Sequence, residues 1–293
     1  MHPEIAVICH AYYPDLARRI ASDLWSLPRP FDIYLSTPFQ EHVELLRDIF
    51  APLKQSTTVT VVPNRGRDIA PKLITYRKEA QRYQYVLYTH TKASDPQWAQ
   101  HAMLRLAGAP HIVDSILDAF KRDPRLGIVA HEHYPPIKPW VHWTDNHCHA
   151  KVIATRIGIR LPDTIDFPSG SMFWARPQAL TPLFDLGLTF EDFPEEPIPT
   201  DGTLAHALER LVYLCALHVG YGWSTVALID GRQPHIDKTC HWHVRRPLRL
   251  ARRSKLTGRR HRVVPDLLYM LSRLRSTLQR RHHRNERRHL FPA

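Results

Sequence analysis

Cysteine is scarce. The 293 residues hold four, Cys9, Cys148, Cys215 and Cys240, widely spaced and with no CxxC pair. That usage suits a reducing compartment and argues against a disulfide scaffold. No apolar stretch approaches the roughly 20 residues needed to span a bilayer. No signal peptide is expected, because Glu4 and His10 interrupt the short apolar run near the start and no cleavage pattern follows. There is no Walker A loop and no Gly-x-Gly-x-x-Gly turn, which disfavours a P-loop or dinucleotide-binding fold. A serine-hydrolase reading fails for want of Gly-x-Ser-x-Gly, to which Pro168-Ser169-Gly170-Ser171 bears only a superficial likeness. Three histidine pairs have metal-like spacing, His131 with His133, His147 with His149 and His241 with His243, yet none belongs to a recognised zinc pattern.

Net charge is nearly absent from most of the chain. The net charge is +12, but residues 251–293 hold thirteen Lys or Arg against two acids. Everything before them is therefore close to neutral, and the positive charge is a local appendage with its own partner. No recognition module accompanies it, so no nucleic-acid partner is expected. Pro265 begins a helical pattern to about Arg284, with Leu267, Leu268, Leu271, Leu274 and Leu278 on one broad face and arginines over much of the rest. This pattern suits an interfacial helix drawn to anionic lipid. Packing against the body and a disordered end are the alternatives. Length supports one large α/β domain, or one domain with an appendage.

The body reads as alternating strands and helices. Strands are expected at 5–11, 31–35, 57–62 and 85–88, with helices at 14–27, 41–53 and 71–81 between them. The β-α-β-α-β-α-β order, with short runs that look buried on both faces, predicts a mainly parallel, doubly covered sheet. Helices at about 97–108 and 111–122, a strand at 125–130, and a His-, Pro- and Trp-rich loop at 131–146 follow. A short helix at 151–157 precedes an aromatic strand within 167–175. An acidic, proline-rich loop at 190–200 leads to a helix at 203–220 and a last strand at 221–229.

Ligands of such sheets sit beyond the carboxyl ends of the strands. Ser36-Thr37, the loop from Asn64 to Asp68, and His90-Thr91-Lys92 all fall at such ends. Within the loop, Gly66 permits a sharp turn or close approach to a ligand, and Arg65 and Arg67 offer forked donors for phosphate or carboxylate. Asp68 can cap the following helix or bind a ribose or base edge. The simplest ligand is a nucleotide or nucleotide sugar; a capped, salt-bridged turn is the bland alternative. Lys92 can neutralise a diphosphate and His90 can donate to it, or they are a surface lysine and a hydrogen-bonded loop histidine. Glu191, Asp192, Glu195, Glu196 and Asp201 form an acidic cluster in which one carboxylate can deprotonate an acceptor hydroxyl. Capping of the next helix by Asp201 and a solvated face are the structural alternatives. Trp140, Trp143 and Trp174 either stack on sugar faces or belong to the core.

Several segments together carry a family resemblance. They are His10-Ala11-Tyr12-Tyr13-Pro14-Asp15, the loop 64–71, Thr89-His90-Thr91-Lys92, the run from Phe167 through Gly170, Ser171 and Trp174 to Arg176, residues 188–194, and the run from Asp201 to Arg210. In this order the chain resembles the rhamnan synthesis F family of glycosyltransferases, which build rhamnose-containing cell-surface polysaccharides. The layout is also similar to a GT-A glycosyltransferase.

The resemblance implies a GT-A-like three-layer α/β fold over 1–235, with a mainly parallel central sheet, and a basic helical extension over 236–293. It implies that Ser36, Thr37 and the loop Asn64, Arg65, Gly66, Arg67 and Asp68 meet the nucleotide, and that Gly170, Ser171 and Trp174 lie beneath donor sugar and acceptor. Asp201 falls where inverting members carry their base, with Glu195 or Glu196 as substitutes. GT-A enzymes usually hold Mg²⁺ or Mn²⁺ with Asp-x-Asp, but here that place holds His90-Thr91-Lys92. Two carboxylates suit a hard cation; an imidazole and an ammonium do not. No cofactor is therefore expected, and Asp68 is the candidate ligand should Mg²⁺ or Mn²⁺ be used.

The implied reaction moves L-rhamnose from dTDP-L-rhamnose to a polysaccharide or lipid-linked glycan hydroxyl, with inversion. The implied place is the cytoplasm, at the inner face of the plasma membrane if 251–293 engages lipid. The alternatives are a non-catalytic glycan- or nucleotide-binding partner in a polysaccharide assembly complex, and a transferase using another nucleotide sugar such as a UDP-hexose.

Overall fold

The computed structural model describes residues 3–229 and 232–236, which form three layers around one sheet. The strands are β1 (Ile5–His10), β2 (Asp32–Thr37), β3 (Thr57–Val61), β4 (Tyr85–His90), β5 (Leu126–His131), β6 (Phe173–Ala175), β7 (Gly222–Ile229) and β8 (Gln233–Ile236). Their order across the sheet is β3-β2-β1-β4-β6-β5-β7-β8. The helices are α1 (Pro14–Asp23), α2 (Val43–Phe50), α3 (Arg77–Ala80), α4 (Pro96–Leu106), α5 (Pro110–Arg122), α6 (His147–Ile157), α7 (Thr181–Phe184) and α8 (Leu204–His218).

Side chains of a strand alternate between faces, so a strand covered on both sides is apolar throughout. In β1, Ile5, Val7 and Cys9 join a core with Ile20 and Leu24 of the α1 region, Leu46 and Phe50 of α2, and Ile116 and Phe120 of α5. Ala6 and Ile8 join the opposite core with Leu73, Ile153 of α6, and Leu208 and Leu211 of α8. All six β1 residues are buried. The edge strand β3 is only partly covered, and Val61 is exposed, which corrects the expectation of a fully buried run there.

The sheet is mixed, so the expectation of a mainly parallel sheet holds only in part. Strands β3, β2, β1 and β4 are mutually parallel, and β5 is parallel to β7. However, β6 lies antiparallel between β4 and β5, and β8 is antiparallel to β7. Hydrophobic pattern announces a strand and says nothing of its direction. The geometry matters for the site: Phe173, the first residue of β6, pairs with Tyr88 near the end of β4 and with Ala130 near the end of β5. The turn Ser169-Gly170-Ser171 that enters β6 is thereby brought to the same edge as the carboxyl ends of the parallel strands.

Proline and short polar residues set several helix starts. Pro14, Pro96 and Pro110 occupy first-turn positions, where their missing N–H is no loss. Asp95 caps α4 by accepting from the Trp98 amide at 2.9 Å. The helix expected at 71–81 is broken: Pro71–Thr75 forms a π-helical turn, and the chain bends at Tyr76 before α3. Such turns recur at functional sites. Among the described residues no helix is long and apolar enough to cross a membrane. The basic helix expected at 265–284, and nearly all of the extension expected over 236–293, lie outside the described residues.

Candidate functional site

At the carboxyl edge of the sheet lies a cleft of about 950 Å³, a volume suited to a sizeable small molecule. Tyr12 and Tyr13 after β1, Asn64 and residues 67–69 of the loop after β3, residues 90–94 after β4, the turn 169–171 before β6, and Ala205, His206, Glu209 and Arg210 of α8 all reach it.

The floor is a tight ionic cluster. His10 and His90 are register partners on adjacent parallel strands, so their rings share one face of the sheet. Asp68 Oδ2 lies 3.3 Å from Lys72 Nζ and 3.5 Å from His90 Nδ1. Lys72 is 5% exposed and also donates to the Ser171 carbonyl at 2.9 Å and to the Ser171 hydroxyl. Three acceptors for one amine match the three N–H bonds of an ammonium. Burial alone raises the Asp68 carboxyl, but the charges of His90, Lys72, His10 and Lys92 outweigh it and hold the group well below its ordinary range. Burial pulls the Lys72 ammonium down, against the opposing pull of Asp68. It also pulls His10 and His90 down to about 4. Near neutrality both imidazoles are therefore uncharged, and the lysines balance Asp68. This donor set, one carboxylate facing an ammonium and two imidazoles, does not fit a hard divalent cation. Among the described residues no group of three or more His, Cys, Asp or Glu side chains is placed to hold a metal.

The Arg-Gly-Arg loop grips the acidic segment across from it. Arg65 donates to the Phe193 carbonyl at 3.2 Å and pairs with Glu195. Arg67 donates to the Pro199 carbonyl at 3.1 Å and lies 3.3 Å from His206 Nε2. Gly66 sits at φ +69, and a Cβ there would stand 2.6 Å from both Ala70 Cβ and the Phe193 ring. Only glycine admits that turn with Phe193 closed over it. Arg67 and Ser171, which line the cleft, hold φ of 53 and 58 without being glycine. Such backbone persists only where the surroundings enforce it.

The same cleft also carries further carboxylates. Asp201 Oδ1 accepts from Asn146 Nδ2 at 2.7 Å and lies 3.3 Å from Arg210 Nη2. Burial raises the Asp201 carboxyl, but Arg210 and hydrogen bonds from Thr144 and Asn146 bring it below its ordinary value. Deeper in, Glu209 accepts from the Gly170 amide at 2.8 Å, and burial raises its carboxyl. Glu196 lines the cleft with Oε1 buried and without a hydrogen-bond partner. Lys92 lies 4.1 Å over the Trp98 ring, and among the described residues it makes no ion pair.

Of the site residues expected from sequence, Asn64, Arg67, Asp68, His90, Lys92, Gly170, Ser171, Glu196 and Asp201 line this one cleft. Six do not. Ser36 and Thr37 are buried because β2 runs on through them, and the Ser36 hydroxyl lies 3.0 Å from His10 Nδ1. Trp174 is wholly buried on the far face, where its indole donates to the Leu106 carbonyl at 2.9 Å, so it touches no ligand in the cleft. Arg65 and Glu195 neutralise each other outside the cleft, and Gly66 is covered by Phe193. Asp201 does not cap α8; Thr203 is the residue at that position. Trp143 is core, its indole bound to the Pro162 carbonyl, whereas Trp140 stands at the cleft rim. The pair His131 and His133 diverges: His131 is buried, and His133 bridges Ser169 and Asp166 at 2.8 and 2.9 Å.

Sequence reading missed Lys72, Trp98, Asn146, His206 and the Glu209–Arg210 pair. Two of these left a signal. Lys72 stands four residues from Asp68 within the run Ile69 to Leu73, where a lone ammonium needs a partner. Glu209 and Arg210 interrupt an otherwise apolar face of α8.

Fold and cleft together define a three-layer α/β protein with a large cleft at the strand ends, lined by aromatic side chains and by charged ones of both signs. The chain belongs to the family described as rhamnan synthesis protein F (RgpF), which matches residues 1–221. Relatives described as uncharacterized protein WxcX, from two strains of Xanthomonas campestris pv. campestris, are 36% identical over 232 residues. That match covers 76% of this chain and 33% of each relative, so the chain spans about a third of the length of these curated relatives. Among solved structures, S. aureus TarS 1-349 is 10% identical with a TM-score of 0.39, over 74% of this chain and 55% of that one. A mycobacterial protein is 13% identical with a TM-score of 0.39, over 85% of this chain and 88% of the other. Likeness that distant carries no weight for the chemistry.

Proposed function

We propose that the cleft is the active site of an inverting glycosyltransferase of polysaccharide synthesis, with dTDP-L-rhamnose as donor and a glycan hydroxyl as acceptor. The observation that supports it best is the pairing of unlike groups in one cleft. Lys92, an ammonium without a carboxylate partner among the described residues, lines the cleft with His90 and Asp68, and so does a carboxylate held by Asn146 and Arg210. The first suits a departing diphosphate and the second an entering hydroxyl. Membership of the rhamnan synthesis protein F family supports the donor sugar.

In the proposed reaction the acceptor oxygen attacks the anomeric carbon on the face opposite the diphosphate. The new C–O bond forms as the bond to the diphosphate breaks, and that electron pair leaves with dTDP. The acceptor proton passes to Asp201. Lys92 and His90 donate to the phosphate oxygens as charge builds there, and Asp68 accepts from a donor hydroxyl. In this reading no divalent ion is required, because Lys92 supplies the positive charge.

The test is release of dTDP from dTDP-L-rhamnose in EDTA, with a rhamnose-containing oligosaccharide as acceptor. Acceptor-dependent release is expected, falling roughly 100-fold in Lys92→Met. Strict dependence on Mg²⁺ or Mn²⁺ overturns the metal-free mechanism. Donor binding without release favours a non-catalytic role in an assembly complex.

A further inference from the structure

The cleft that Asp201 lines also carries an exposed indole. Trp140 is 46% exposed at the cleft rim, whereas Trp143, three residues on, is 8% exposed and hydrogen-bonded in the core. Leaving a large aromatic side chain half in water at the rim of a cleft forgoes burial that Trp143, Trp174 and Trp223 obtain in the core.

The segment beneath Trp140 is stiff. It ends a 3₁₀ turn, Pro135–Trp140, that contains Pro135, Pro136 and Pro139. Proline fixes φ, so little backbone freedom is left to lose when a ligand binds. The Trp140 ring is stacked on the His142 ring, with centroids 6.5 Å apart and planes at 27°.

The same segment is wired to the Asp201 carboxylate. Arg210 donates to the His142 carbonyl at 3.0 Å and to the Thr144 hydroxyl at 3.1 Å. Asn146 donates to Asp201 at 2.7 Å and to Thr144 at 2.6 Å. Indole and carboxylate are thus held by one network. A pyranose presents C–H groups on its faces and hydroxyls around its edge, so an aromatic face takes the ring while polar groups take the rim.

We infer that Trp140 is a stacking platform for a pyranose of the acceptor glycan, which it presents edge-on to Asp201. The inference rests on the transferase reading above and adds the acceptor subsite to it. Ile137, on the same turn and also lining the cleft, extends the apolar surface beside the indole. In the transferase reading the donor is held by Lys92, His90 and Asp68, so Trp140 is assigned to acceptor affinity alone.

The test uses the full chain and two probes: dTDP by calorimetry, and a panel of methyl glycosides of L-rhamnose, D-glucose, D-galactose and N-acetyl-D-glucosamine by saturation-transfer NMR. The expected result is saturation of the ring C–H protons of at least one glycoside by the native chain, a loss of fivefold or more in Trp140→Ala, and substantial recovery in Trp140→Phe. The dTDP affinity of both variants should stay within twofold of the native value, and an unchanged Tm should exclude a folding effect. Equal saturation in native and Trp140→Ala protein overturns the platform. So does loss of dTDP binding in that variant, which would place the indole on the donor side. If dTDP binds and no glycoside does, the platform fails while the donor reading stands. If neither binds, both fail.

Discussion

Replacing Asp201 by asparagine is expected to lower kcat by roughly three orders of magnitude, with donor affinity within about twofold of the native value. The amide keeps the size of the side chain and an oxygen for Asn146 to donate to, but it cannot take the acceptor proton. The pH profile separates Asp201 from its neighbour. Because the Asp201 carboxyl lies below its ordinary value of 3.8, it is ionised throughout the neutral range. The native enzyme should therefore show no acid limb in kcat/KM between about pH 5 and 8. His10, His90 and His206, each pulled down to about 4, add none there. Glu209 is pushed upward by burial, so an acid limb that vanishes in Glu209→Gln would move the base role to Glu209. An Asp201→Asn enzyme retaining a tenth or more of native kcat would remove Asp201 from the chemistry.

Lys72→Met should be the most damaging change for stability. The ammonium is 5% exposed and bound to Asp68 and Ser171. Methionine fills the volume but leaves the Asp68 carboxylate without its nearest cation, and truncating one partner of a buried pair costs roughly 3–5 kcal/mol. For a domain of this size that is a fall of roughly 10 °C in Tm. The pH dependence carries a second signature. A carboxyl whose pKa is lower folded than unfolded contributes stability that is complete above the unfolded value and is lost as pH falls through the folded one. In the native chain, with Asp68 held low, that loss is confined to strongly acid solution. In Lys72→Met the Asp68 pKa rises and its contribution shrinks. Adding Asp68→Asn should then recover part of the lost Tm, because the uncompensated charge is gone. A loss under 1 kcal/mol in Lys72→Met, or no coupling in the double variant, would contradict the cluster as described.

Much of this site was legible because parallel strands deliver their loops to one edge. Asn64, Asp68, His90 and Lys92 could be placed from strand order alone, and the cleft brings them together. Trp174 shows where that reasoning stops. Its motif marked the right turn, but the alternation of a strand sends Phe173 and Trp174 to opposite faces, and only the paired register says which faces the cleft. The two arginines illustrate a second limit. Their forked donors fit phosphate, but they fit a carbonyl and a carboxylate equally well, and residues 193–199 supply both. That contact joins positions about 130 apart in sequence, which no local pattern encodes. Lys72 was only half legible: its spacing from Asp68 is local, but its other partner, Ser171, lies 99 residues away.

Recognition of a nucleotide sugar without a metal is the central claim, and calorimetry on the full chain tests it most directly. The titrants are dTDP-L-rhamnose, dTDP-glucose, UDP-glucose and GDP-mannose, each with Mg²⁺ and with EDTA. The account predicts selective binding of dTDP-L-rhamnose that is unchanged by EDTA and weakened in Lys92→Met. Binding that requires Mg²⁺, or none with any of the four donors, would contradict it.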